Sequence, residues 1–107
     1  MVESLTAIEL AQRLAGEQGA DIQLLDVREA WELELCQLPD VIAIPMQQIP
    51  ERMKELSTER QLVCICHHGA RSMQVAQFLY QNGFTKVVNL DGGMDGWAHT
   101  VDQAIAL

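Results

Sequence analysis

Val63-Cys64-Ile65-Cys66-His67-His68-Gly69-Ala70-Arg71-Ser72 is the stretch on which the reading of this chain turns. Leu62 to Cys66 is a short apolar run with the character of a buried strand. After a tight turn, Ser72 opens a run to Gln81 in which Val75, Ala76, Leu79 and Tyr80 recur at helical spacing, with Gly83 beyond its end. A strand, a short loop and a helix start in that order put Cys66 at the strand's last position, with the positive end of the helix aimed at it. Backbone N–H groups after Cys66 can close around its sulfur, and Gly69 permits the positive φ that so tight a loop needs. Such a cradle holds an anion. A cysteine placed there is expected to be held as its thiolate, the nucleophilic form. Cys64 falls inside the strand and reads as a small buried hydrophobe.

Outward from this stretch the same alternation repeats. Thr6-Ala7-Ile8-Glu9 has the form of a capping box. It opens a helix with apolar positions Ile8, Leu10, Ala11 and Leu14, stopped near Gly16. Ile22–Val27 reads as a strand, Glu29–Leu35 as a short helix, and Val41–Ile44 as a strand ended by Pro45. Pro50–Leu56 reads as a helix with proline near its start, where the missing N–H costs nothing. Val87–Leu90 is a strand, Asp91-Gly92-Gly93 a turn and Met94–His99 a last short helix, with a further brief strand near Val2–Ser4. All-apolar strands alternating with helices predict an α/β fold: a mostly parallel sheet covered on both faces. Sites in such sheets form beyond the carboxyl ends of the strands, here after Asp26, Cys66 and Leu90. Trp31 and Trp97 read as core residues, given the area that tryptophan buries.

The chain has 107 residues, 49% of them hydrophobic, enough for one domain over 1–107 with a core that needs no disulfide or metal. A net charge of −8 works against nucleic acid and anionic membranes as partners. Met1–Leu10 carries Glu3 and Glu9 and lacks a basic stretch followed by an apolar run, and no segment approaches the ~20 apolar residues that span a bilayer. A soluble, cytoplasmic protein is expected. Cys36, Cys64 and Cys66 make an odd number, which in a reducing compartment indicates free thiols. Cys64, Cys66, His67 and His68 are crowded together, but zinc needs four converging ligands and neighbours on a strand and tight loop diverge. No metal is expected there, and His67 and His68 are assigned to the rim. Arg71, in the first turn of its helix, opposes the helix dipole at about 0.3–1 kcal/mol. An anionic substrate or a nearby carboxylate would compensate, and both remain open.

Three motifs in order carry a resemblance over nearly the whole chain. Leu25-Asp26-Val27-Arg28-Glu29, Cys66-His67-His68-Gly69-Ala70-Arg71 and Asn89-Leu90-Asp91-Gly92-Gly93-Met94-Asp95-Gly96-Trp97, with Ile44-Pro45 between the first two, resemble the signatures of the single-domain rhodanese family. One segment departs: Gln37 stands where that family commonly has histidine, and Asp40 where it has glycine. The resemblance implies a five-stranded parallel sheet with helices on both faces. It implies Cys66 as a persulfide-forming nucleophile and the backbone of His67, His68, Gly69, Ala70, Arg71 and Ser72 as the anion cradle. Asp26 and Arg28 would tie strand ends to loops, and Gly92 and Gly93 would let the backbone pass close to the site. The implied activity is ping-pong sulfur transfer without a cofactor. The donor would be a small anion such as thiosulfate, and the acceptor cyanide, a thiol or a protein thiol. A sulfur-carrier or regulatory module is the alternative. Related folds with a longer cysteine loop are phosphatases or arsenate reductases, but here only His67 to Ala70 separate Cys66 from Arg71, which is short for a phosphate.

Overall fold

The computed structural model describes residues 2–102 and 104; Met1 and the last residues of the expected 1–107 domain lie outside the described residues. Strands β1 (Glu3–Leu5), β2 (Gln23–Asp26), β3 (Ile42–Ala43), β4 (Leu62–Ile65) and β5 (Val87–Leu90) form one five-stranded sheet in the order β1-β5-β4-β2-β3. Every pairing is parallel. The weak strand signal near Val2–Ser4 is therefore real, shifted by one residue, and pairs Glu3 with Val88 and Leu5 with Leu90. Helices α1 (Ala7–Ala15), α2 (Ala30–Leu35), α3 (Ile49–Arg52), α4 (Ala70–Gln81) and α5 (Gly93–Thr100) connect or follow the strands. The expected Pro50–Leu56 helix is α3 plus a 3-10 turn over Met53–Glu55.

Strand periodicity explains why the sheet is buried on both faces. Successive side chains of a strand point to opposite sides. Along β4, Leu62 and Cys64 join one core with Leu25, Ile49, Val75, Ala76 and Leu79, beneath α3 and α4. Val63 and Ile65 join the other with Leu10, Val88, Leu90, Met94 and Trp97, beneath α1 and α5. Both sets are apolar, so the strand reads as a continuous hydrophobic run.

Thr6 caps α1 with the full capping box: its hydroxyl accepts from Glu9 N, and the Glu9 carboxylate accepts from Thr6 N. Two helical faces differ from the sequence reading. Ile8 is half exposed, and the buried edge of α1 is Ala7 and Leu10. Tyr80 is likewise 38% exposed, and α4 turns Ser72, Val75, Ala76 and Leu79 inward. In both cases the series i, i+3, i+4, i+7 fits the buried edge once its true first member is used.

Candidate active site

The site sits at the carboxyl end of β4. Cys66 is the first residue past the strand and is 1% exposed. Its Sγ accepts the Gly69 N–H at 3.0 Å and the Ser72 N–H at 3.3 Å. Gly69 is the N-cap of α4 with φ 103°. A Cβ there would also press to 3.2 Å on both Gly92 N and Leu90 O, so glycine is required on two counts. Cys66 thus lies where the loop amides and the first turn of α4 converge.

The loop faces its amides inward because its carbonyls are tied elsewhere. Met94 N donates to Cys66 O and Asp95 N to His67 O, both at 2.9 Å. These are first-turn amides of α5, which need acceptors outside their own helix. Gly93 makes the approach possible, since a Cβ would stand 2.4 Å from Cys66 O and 2.5 Å from His67 O. Beneath the loop, Asn89 Nδ2 donates to Gly69 O at 3.2 Å, and the Ser72 hydroxyl lies 2.5 Å from Asn89 Oδ1. Asn89 was not singled out from the sequence; an asparagine inside the apolar Val87–Leu90 strand was the available signal.

Arg71 finds its compensation in a carboxylate. Its guanidinium donates to both oxygens of Glu32, each at 2.8 Å. Glu32 is the only buried residue of α2. Those hydrogen bonds are the main cause that holds its carboxyl at about 2, against burial, with further help from the Glu29 amide. The same contact raises the pKa of Arg71. Glu32 was missed in the sequence, although its spacing from Glu29 forms a second capping box, with Glu29 N donating to Glu32 Oε1 at 3.0 Å.

Asp26 and Arg28 pair with each other at the end of β2. Both are buried, and the guanidinium meets the Asp26 carboxylate at 2.7 Å. It also donates to Cys36 O at 2.8 Å and Glu32 O at 3.4 Å, satisfying carbonyls at the end of α2. At the departing segment, Asp40 adopts φ 60°, the left-handed conformation for which glycine is the usual residue and aspartate a tolerated one.

Two further expectations meet the structure differently. Trp97 is buried, but Trp31 is 65% exposed. Helix α2 follows the carboxyl end of β2 and buries only Glu32. Trp31 instead lines an open depression of about 330 Å³ with Arg28, Glu32, Leu35, Cys36 and His67. Cys64 is fully buried inside β4, and burial pushes its thiol up to about 12. Cys36, Cys64 and Cys66 are all free thiols.

A parallel α/β sheet with a cysteine cradled between strand and helix defines the class. Residues 6–100 match the Rhodanese-like domain. The chain is 40% identical over 98 residues to a sulfurtransferase of Allochromatium vinosum, covering 92% of this chain and 90% of that one. It is 36% identical over 95 residues to the thiosulfate sulfurtransferase GlpE of Pseudomonas syringae, covering 89% and 87%. The crystal structure of a rhodanese-related protein from Thermoplasma volcanium superposes with a TM-score of 0.83 at 30% identity, over 92% of this chain and 93% of that one. This chain belongs to the rhodanese-like family. Membership supports a role in sulfur transfer. Among the described residues no helix is long and apolar enough to cross a membrane.

Proposed function

We propose that the protein is a sulfurtransferase that takes sulfane sulfur from a small anionic donor such as thiosulfate, or from a persulfide, and passes it to a thiophile through Cys66. The observation that carries this reading is the pair of backbone N–H groups, from Gly69 and Ser72, directed at Cys66 Sγ. The Cys66 thiolate attacks the outer sulfur of thiosulfate; the S–S bond of the donor breaks and sulfite leaves with its electron pair. The product, an anionic persulfide on Cys66, gains from the same donors. A cyanide ion or thiolate then attacks the terminal sulfur, and the Cys66 thiolate departs. Each half-reaction exchanges one nucleophile for another, so the kinetics are ping-pong. Arg71 is spoken for by Glu32, so we assign it the positioning of the loop and the start of α4 against α2. The exposed Trp31 and Leu35 beside the depression favour a protein thiol as the cellular acceptor over a small one.

The test is thiosulfate-to-cyanide transfer by Cys66→Ser, which should be abolished, and by Cys64→Ala, which should keep most of its activity. Full activity in Cys66→Ser would refute the mechanism.

A further inference from the structure

His67, His68 and Asp95 each bring one ligand atom to a cluster in which all lie within 4.8 Å of one another. The two imidazoles meet edge to face, with ring centroids 4.1 Å apart. His68 Nδ1 stands 3.8 Å from Asp95 Oδ2. The other Asp95 oxygen lies 3.4 Å from His99 Nδ1, one turn along α5. Adjacent histidines on a tight loop do not by themselves make a metal site. The fold adds what the sequence neighbourhood lacks: a carboxylate from a different element.

The donor set is held by backbone. Asp95 N donates to His67 O and Met94 N to Cys66 O, so the segment carrying the carboxylate is hydrogen-bonded directly to the segment carrying the imidazoles. Gly93 lets the two segments approach this closely, since a Cβ there would stand 2.4 Å from Cys66 O and 2.5 Å from His67 O. The side chains then need only small rotations. Zinc-class ions sit about 2.0–2.2 Å from nitrogen and oxygen ligands. His68 and Asp95, at 69% and 38% side-chain exposure, have the freedom to close the remaining distance.

We infer that His67, His68 and Asp95 form a binding site for a divalent transition-metal ion of the zinc class, on the rim of the Cys66 loop. Two imidazoles and one carboxylate suit zinc, copper or nickel; magnesium and calcium prefer oxygen ligands throughout. Three protein ligands leave coordination positions open. The ion would be held by side chains of the loop that begins at Cys66, with its open positions toward solvent. The inference stands on these three side chains and does not depend on sulfur transfer.

The experiment is calorimetric titration of zinc into the Cys66→Ser protein, which removes the thiolate that would otherwise compete. One saturable equivalent is expected, with no saturable binding of magnesium. Loss of a ligand should cost at least what loss of an outer-shell partner costs, so His68→Gln and Asp95→Asn should each weaken binding by about 10- to 100-fold or more. His68 is exposed, so His68→Gln remains folded and keeps the test decisive if Asp95→Asn disturbs α5. His99→Gln should leave the affinity nearly unchanged. Cobalt in place of zinc should give visible d–d absorption that His68→Gln removes. Absence of saturable zinc binding, an affinity in His68→Gln and Asp95→Asn unchanged from that of Cys66→Ser alone, or loss in His99→Gln with retention in His68→Gln would each overturn the site; the last would assign the ion to the Asp95–His99 pair of α5.

Discussion

Helix α4 turns Ser72, Val75, Ala76 and Leu79 to the interior, whereas α2 buries only Glu32 and leaves Trp31 and Leu35 exposed at 65% and 58%. The two helices meet through Arg71 and Glu32. α4 crosses a face of the sheet, so its inner stripe is apolar and the hydrophobic effect holds it. α2 follows the carboxyl end of β2 and buries no apolar side chain fully. Polar contacts hold it instead: the Glu29–Glu32 capping box at its start, Arg28 on the carbonyls at its end, and the fork from Arg71 in its middle. A helix on a sheet face is specified by its own periodicity. Helix α2 is specified by partners elsewhere in the chain, and its Trp31 and Leu35 stay exposed.

The largest effect is expected in α4. Leu79 is fully buried among Leu25, Leu62, Ile49 and Phe84. Leu79→Ala should cost about 2–5 kcal/mol, read by denaturant unfolding. A cost below that of a surface substitution would mean that α4 is not held by its apolar stripe.

This contrast also explains what could be read from the sequence. β4, the Cys66 loop and α4 were legible because apolar runs, a glycine and helical spacing are local signals. Cys64 was assigned to the strand interior for the same reason. Trp31 was misassigned because hydrophobicity alone does not tell a helix that buries an apolar stripe from one that does not. Glu32 and Asn89 were missed because their meaning lies in Arg71 and Ser72, which are distant in sequence and met only after folding. The position of Asp95 beside His67 and His68 was hidden in the same way.

The next effect is smaller and falls on the joint between the helices. Arg71→Ala or Glu32→Gln should lower stability by about 1–2 kcal/mol, the range of charge-assisted hydrogen bonds discounted for the partial exposure of Arg71. In a domain of this size that is a melting temperature lower by roughly 4–8 °C per kcal/mol. Glu32 is held at about 2 against an ordinary 4.5. The unfolded chain therefore takes up this proton first as pH falls, so the contribution is present above about 4.5 and is lost progressively between 4.5 and 2. Acid titrations of stability should show that loss in the native protein and a correspondingly smaller one in Glu32→Gln. Parallel curves would remove Glu32 as the support of α2.

Smallest is the expected effect of trimming the exposed side of α2. Trp31→Ala and Leu35→Ala should change stability by no more than about 0.5 kcal/mol, as surface substitutions do. They should leave thiosulfate-to-cyanide transfer unchanged and slow transfer to a protein thiol. A large loss of stability would show that this side is packed after all.

The central claim is that Cys66 carries the sulfur. Intact-mass measurement after exposure to thiosulfate, followed by peptide mapping, tests it most directly. A gain of one sulfur atom is expected on the peptide containing Cys66, reversed by cyanide and absent in Cys66→Ser. A sulfur adduct on Cys36 or Cys64, or an adduct that persists in Cys66→Ser, would contradict it.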